Sequence, residues 1–209
     1  MKGAKRIQED NYPTPPALAR VGWQVAQRYL AGRVNCAVSV CEPGCGDAQP
    51  FLREALRDRR TVNAWGCDVR EVAAEGGAGD IVRVDWLGDA VGGGPWDVII
   101  TNPPYTVAEA FVRRAFQRLS ASGIVVMLLR ISFLAPACRR EFWLEHPLSE
   151  VVVIRQRPSF TGDGRTDGME YGFFVWARGV IQAPTLSWCE WEKPTRRRSV
   201  RKIPEIDLL

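Results

Sequence analysis

Residues 97–105 read DVIITNPPY: one acid, four strand-forming residues, then Asn-Pro-Pro and an aromatic ring. The run Val98-Ile99-Ile100-Thr101 is apolar and β-branched nearly throughout, the composition of a parallel strand buried on both faces. Pro103 and Pro104 end it, because neither can donate to a ladder and both stiffen the turn. A rigid turn at the carboxyl end of a buried strand lies where open α/β sheets bind their ligands. Asn102 puts an amide carbonyl there and Tyr105 a flat ring. Together they suit a planar group that carries an amino nitrogen.

A second anchor is Val40–Ala48, VCEPGCGDA, where a strand runs into a glycine turn and then a helix. Gly44 and Gly46 allow close approach of the backbone to a ligand, and the helix start offers amide donors. The spacing is not that of a dinucleotide fingerprint, and the lysine of a phosphate loop is missing. Glu42, just before the glycines, disfavours a polyphosphate and favours a cation. Asp68 closes the next strand, where a carboxylate can accept both hydroxyls of a ribose. Asp85 and Trp86 close the third, placing an acceptor for an amino group beside a ring.

Around these anchors the periodicity predicts the remaining elements. Thr14 is expected to cap a first helix, with Pro15 in its first turn, and Gly32 to end it. Strands are expected at Ala37–Cys41, Thr61–Val69, Asp80–Asp85, Ile124–Leu129, Val151–Gln156 and Tyr171–Ala177, besides the one after Asp97. Helices are expected over Ala48–Arg59, from Ala108 to a stop at Gly123, and over Pro136–Glu145, with a short helix or loop at Glu71–Gly79. Strand–helix alternation implies a largely parallel sheet with helices on both faces. The last two strands have no helix between them and imply an antiparallel hairpin at one edge, joined by the polar loop 157–170.

The chain has 209 residues, 46% hydrophobic and 25% charged, which fits one soluble domain with a real core. No stretch reaches the roughly 18 apolar residues of a membrane helix, and MKGAKRIQED has no signal core, so a cytoplasmic protein is expected. The six cysteines form no CxxC pair and His146 is the single histidine, so no metal site is expected. Net charge is +4. Lys193, Arg196, Arg197, Arg198, Arg201 and Lys202 crowd the tail after Arg178, a composition that either binds phosphate backbones or is simply solvated. One domain over 1–178 and a basic tail over 179–209 is the expected division.

Glycine turn, carboxylate, carboxylate and NPPY thus follow four successive strands at their carboxyl ends. That order resembles the class I S-adenosylmethionine-dependent methyltransferases, and NPPY resembles their amino-methylating branch. YPTPP at 12–16, TNPPYTVAEAFVRRAF at 101–116 and RPSFTGDGRTDGMEYGFFVW at 157–176 are similar to small phage and prophage DNA adenine methyltransferases. The resemblance implies a Rossmann-like fold, mostly parallel with an antiparallel edge hairpin. It implies S-adenosylmethionine as cofactor, its sulfonium facing Glu42. Tyr12, Pro13 and Thr14 would close over it, while Glu42, Gly44, Gly46, Asp68, Asp85 and Trp86 line its pocket. Asn102 and the Pro103 carbonyl would accept hydrogen bonds from the target amino group, Pro104 would stiffen the turn, and Tyr105 would stack on a base flipped out of double-stranded DNA.

Adenine is favoured over cytosine, whose 4-amino group is the alternative acceptor in DNA. A cytosine-ring methyltransferase needs a cysteine on the turn after the fourth strand, and that turn is NPPY. The NPPY turn also occurs in protein-glutamine and RNA guanine methyltransferases, and a non-enzymatic nucleic-acid-binding module is a further alternative. The chain has no room for a separate recognition domain. Recognition is therefore expected from Phe160 and Arg165 on the 157–170 loop, from Arg139-Arg140, from Arg196, Arg197 and Arg198 in the tail, or from a second subunit.

Overall fold

A computed structural model describes residues 13–32, 36–72, 79–161, 166, 168–180 and 183–191. The first helix, α1, spans Pro16–Tyr29. Strand β1 (Val38–Pro43) leads to α2 (Pro50–Ala55), then β2 (Thr61–Asp68), β3 (Asp80–Arg83) and β4 (Trp96–Thr101). The second half holds α3 (Ala108–Arg118), β5 (Leu119–Arg130), α4 (Arg140–Glu145), β6 (Glu150–Ile154), β7 (Tyr171–Ala177) and β8 (Thr185–Cys189). Among the described residues the strands form one sheet in the order β3-β2-β1-β4-β5-β7-β6-β8. The first five pair in parallel, and β7 inserts antiparallel between β5 and β6. No helix among the described residues is long and apolar enough to cross a membrane.

Strand alternation divides the core in two. Val98 and Ile100 of β4 face one way with Ile124, Val126, Leu128, Phe173 and Val175, under Leu18 and Trp23 of α1 and Phe51 of α2. Ile99 faces the other way with Val125, Met127, Phe174 and Trp176, under Phe111 and Val112 of α3 and Phe142 of α4. The central strands are apolar on both faces because both are covered. Gly22 lets α1 lie close to the sheet: a Cβ there would come within 2.8 Å of both Phe173 and Phe51 ring carbons. Gly22→Ala is therefore expected to destabilise the fold by about 1–3 kcal/mol through overpacking. Urea unfolding would read this as a lowered midpoint with an unchanged slope; an unchanged midpoint would mean α1 is not held this closely.

The sequence reading of the sheet holds, and its boundaries need correction in several places. The expected helix 48–59 is only the six residues of α2, followed by turns whose amides reach back to Leu52, Glu54 and Ala55. Gly123 does not end a helix. The chain is already extended at Leu119 (ψ 138°), and Gly123 sits inside β5, where a Cβ would lie 2.6 Å from the Leu119 side chain. The expected helix 136–145 begins as a 3₁₀ turn at Ala137–Arg139. Past Ala177 the chain makes one more strand, β8, parallel to β6, where the sequence suggested only a tail. Its exposed Leu186 and Trp188 carry no buried-strand signal, because β8 is an edge.

Candidate active site

The carboxyl ends of β1, β2 and β4 meet where the strand order reverses direction, the place where open α/β sheets leave a crevice. Two hydrogen bonds tie their turns together. Thr101 Oγ1 donates to the Pro43 carbonyl at 2.5 Å, joining the NPPY turn to the end of β1. The Gly44 amide donates to the Cys67 carbonyl at 2.7 Å, joining the glycine turn to β2. Gly44 and Gly46 both have positive φ, 66° and 57°, so the turn requires residues without a Cβ penalty. The space enclosed is about 400 Å³, within the size range of small-ligand pockets.

Pro13, Thr14, Glu42, Gly44, Gly46, Asp68, Asp85, Trp86, Asn102 and Pro104 all line this one cavity. These residues come from five separate segments. Tyr12, Arg165, Arg196, Arg197 and Arg198 lie outside the described residues. Pro103 is buried beneath the turn, and Tyr105 stands outside the cavity wall against Tyr171, at 5.7 Å between ring centroids. Phe160 must be reassigned. It is 6% exposed and packs edge-on against Tyr171 at 5.1 Å, so it is a core residue and not a probe of bases.

Thr14 also differs from expectation. Pro15 occupies the cap position of α1, and among the described residues no side chain caps the helix. The Thr14 hydroxyl instead accepts a hydrogen bond from Asn102 Nδ2 at 3.1 Å. In this arrangement Nδ2 faces Thr14 and the amide carbonyl oxygen points away from it. The sequence motif placed Thr14 and Asn102 in separate roles; the fold makes the first the holder of the second.

Two buried carboxyls shape the electrostatics. Glu42 is 2% exposed, and its Oε2 accepts from the Leu52 amide at 2.8 Å, at the start of α2. Burial pushes its carboxyl up to about 8, with the Leu52 and Phe51 amides only partly offsetting that. Asp68 behaves in the opposite way. Burial works against its charge, but hydrogen bonds from the Arg70 guanidinium, the Arg70 amide and the Gly46 amide outweigh it and hold the carboxyl below its usual range. Arg70 Nε lies 3.0 Å from Asp68 Oδ1, and the Gly46 amide 3.0 Å from Oδ2. Cys45 and Cys67 are thiols here, since burial raises both well above the ordinary thiol value, Cys67 to about 12. Neither is an activated nucleophile.

The expected third strand stops at Arg83, so Asp85 stands in the following turn, exposed, with its Oδ1 accepting from the Leu87 amide at 3.0 Å. Trp86 is 2% exposed and tilts against Phe111 at 6.5 Å, so it belongs to the wall more than to any cover.

Fold comparison places this arrangement among solved structures. A protein from Listeria monocytogenes assigned to the class I S-adenosylmethionine-dependent methyltransferases superimposes with TM-score 0.66 at 14% identity, over 88% of this chain and 67% of that one. The chain has the class I methyltransferase fold. A magnesium protoporphyrin IX methyltransferase from Synechocystis, solved with S-adenosylmethionine bound, shares this methyltransferase fold with TM-score 0.53 at 14% identity, over 78% of this chain and 80% of that one. The modification subunit assigned to a type I restriction enzyme of Vibrio vulnificus gives TM-score 0.57 at 16% identity. That match covers 90% of this chain, which spans about half (48%) of the subunit. No protein-family model and no curated protein matches the chain by sequence.

Sequence reasoning did not assign several other lining residues to the cavity, Asp47, Arg70, Leu87 and Phe111 among them. Phe111 was legible only as part of the apolar face of α3, and it serves both the core and the cavity. Arg70 carried no signal beyond its place two residues after Asp68.

Proposed function

We propose that the protein is a methyltransferase that uses S-adenosylmethionine to methylate the 6-amino group of adenine in DNA. The reading is supported above all by one observation: Asn102, on an Asn-Pro-Pro-Tyr turn, borders the cavity with its amide nitrogen hydrogen-bonded to Thr14. The cavity residues fit the cofactor. Its volume suits a molecule of that size, two glycines of positive φ admit close backbone approach, and Glu42 offers an acidic partner for a cation. Asp68, at the end of β2, offers acceptors for a ribose, with Arg70 sharing them. When bound, the cofactor supplies an electrophilic methyl group on a sulfonium.

The chain's own part is positioning. Asn102 Oδ1 and the Pro103 carbonyl accept the two hydrogens of the target amino group, drawing its lone pair out of conjugation with the ring. Holding that nitrogen in line is the main catalytic lever, because orientation alone can supply a large part of a barrier. Positive charge developing on the nitrogen is stabilised by the same two oxygens. No side chain is required as base, since the proton can leave to water after transfer. Tyr105 supplies the stacking surface for a flipped base, whose extrusion costs a few kcal/mol. The basic residues at 193–202, beyond β8, add phosphate contacts.

Incubation with radiolabelled S-adenosylmethionine and separate pools of unmethylated duplex DNA, RNA and protein tests the reading. Label is expected in DNA. Label confined to protein glutamine or to RNA would keep the turn's chemistry and overturn the acceptor. Failure to bind the cofactor at all would reduce the chain to a binding module.

A further inference from the structure

Helices α1 and α2 both begin at the cavity, which Thr14, two residues before α1, and Pro50, the first residue of α2, help to line. They pack against each other over the same side of the core. Along α1 and from α2 through the turns after it, the outer surface carries Arg20, Arg28, Arg53, Arg57, Arg59 and Arg60. Arg20, Arg28, Arg57 and Arg59 are exposed, and the other two half-buried. The acids that meet them lie underneath. The Glu54 side chain is 6% exposed, whereas those of its partners Arg20 and Arg57 are 57% and 65% exposed. The Asp58 carboxylate is likewise covered, holding Arg60 at 2.7 Å and accepting from Gln27 of α1 at 2.9 Å. Exposed Arg28 pairs at 2.9 Å with the buried Glu150 of β6. These ion pairs turn their positive ends to solvent.

A partner arriving from solvent meets the guanidinium groups first, and attraction grows as separation falls. Arginine has five N–H donors, so a pair with one carboxylate leaves others for a second anion. All six cations are arginine, whose planar fork matches a phosphate in two prongs. The face offers little to a membrane. Leu56 is its exposed large apolar residue, far short of the apolar stripe of an interfacial helix. We propose that the α1–α2 face is a phosphate-binding surface that holds the duplex DNA flanking the target base. The choice of DNA rests on the function proposed above and deepens it. It assigns backbone contacts to the folded domain as well as to the basic run at 193–202.

The test is the salt dependence of binding to a mixed-sequence DNA duplex, measured with wild type, Arg59→Gln, Gln24→Glu and the double variant. These changes remove or offset charge without breaking any of the pairs above. Gln24 is exposed on α1 one turn from both Arg20 and Arg28, so a carboxylate there also supports the helix. S-adenosylmethionine affinity and the urea midpoint are determined in parallel. Each single variant is expected to lower the slope of log affinity against log salt by about 0.9, the loss of one phosphate contact. The double variant should lower it by about 1.8, with cofactor affinity unchanged. An unchanged slope in the folded double variant would overturn the proposal and leave these arginines as partners of the buried acids alone. If that unchanged slope came with loss of binding to phosphatidylserine vesicles, the face would belong to a membrane contact instead. Wild-type protein that methylates DNA while the double variant keeps its slope defeats this inference alone. Wild-type protein that binds cofactor but neither binds nor methylates DNA defeats the proposed function as well.

Discussion

Asn102→Ala is expected to lower methyl transfer by on the order of 10²–10³, the scale seen when one preorganised polar group is removed from a reacting centre. Cofactor affinity should stay within about twofold, because the amide is assigned to the acceptor and not to the cofactor. The loss should therefore fall on kcat. The side chain donates from Nδ2 to Thr14 Oγ1 at 3.1 Å, which makes a graded series available. Thr14→Val removes the holder but keeps the carbonyl, and should cost less than Asn102→Ala. Asn102→Asp keeps an acceptor oxygen but loses the donor toward Thr14, and should fall between them. Equal losses across all three variants would mean the turn had collapsed. Loss of cofactor binding in Asn102→Ala would remove the assigned role.

Glu42→Gln is expected to flatten the pH dependence of stability between about pH 5 and about pH 8. In the folded protein the Glu42 carboxyl is pushed up to about 8 by burial, from an ordinary value of 4.5. The native state thus keeps a proton that the unfolded chain releases at lower pH. The stabilisation from that proton is complete below the unfolded pKa and is lost as pH rises through about 8. At 1.36 kcal/mol for each pH unit between the two values, the full effect is on the order of 5 kcal/mol. Relative to Glu42→Gln, wild type should lose stability across this window and then level off. Urea unfolding of both proteins across the window measures it; parallel curves would contradict the burial argument. A cationic cofactor against Glu42 would favour the ionised carboxyl. Calorimetry in buffers of different ionisation enthalpy should then detect proton release on S-adenosylmethionine binding near neutral pH.

The part of the fold written in local patterns was legible. Buried parallel strands announce themselves as β-branched apolar runs, so β4 and the inner part of β5 could be placed from Val98–Thr101 and Ile124–Leu129. Turns that demand glycine or proline were equally clear, and the cavity forms where Gly44, Gly46 and Pro104 stand. What depends on distant contacts was not. Thr14-Pro15 before an apolar helix has the pattern of a cap, and only the fold reveals that 88 positions later Asn102 claims the hydroxyl. Phe160, in a polar loop, reads as an exposed ring until Tyr171 is placed beside it. β8 has an exposed face and borders a basic run, so composition argued for a tail although pairing with β6 makes it a strand. The elevated carboxyl of Glu42 is a property of burial and cannot be read from a glutamate in a string.

The most direct measurement is mass analysis of nucleosides from unmethylated duplex DNA after incubation with the protein and isotopically labelled S-adenosylmethionine. The label is expected in N6-methyldeoxyadenosine, and lowered on the order of 10²–10³ with the Asn102→Ala protein. Label at carbon 5 of cytosine would contradict it, because that chemistry needs a cysteine nucleophile where the chain has Asn102-Pro103-Pro104-Tyr105.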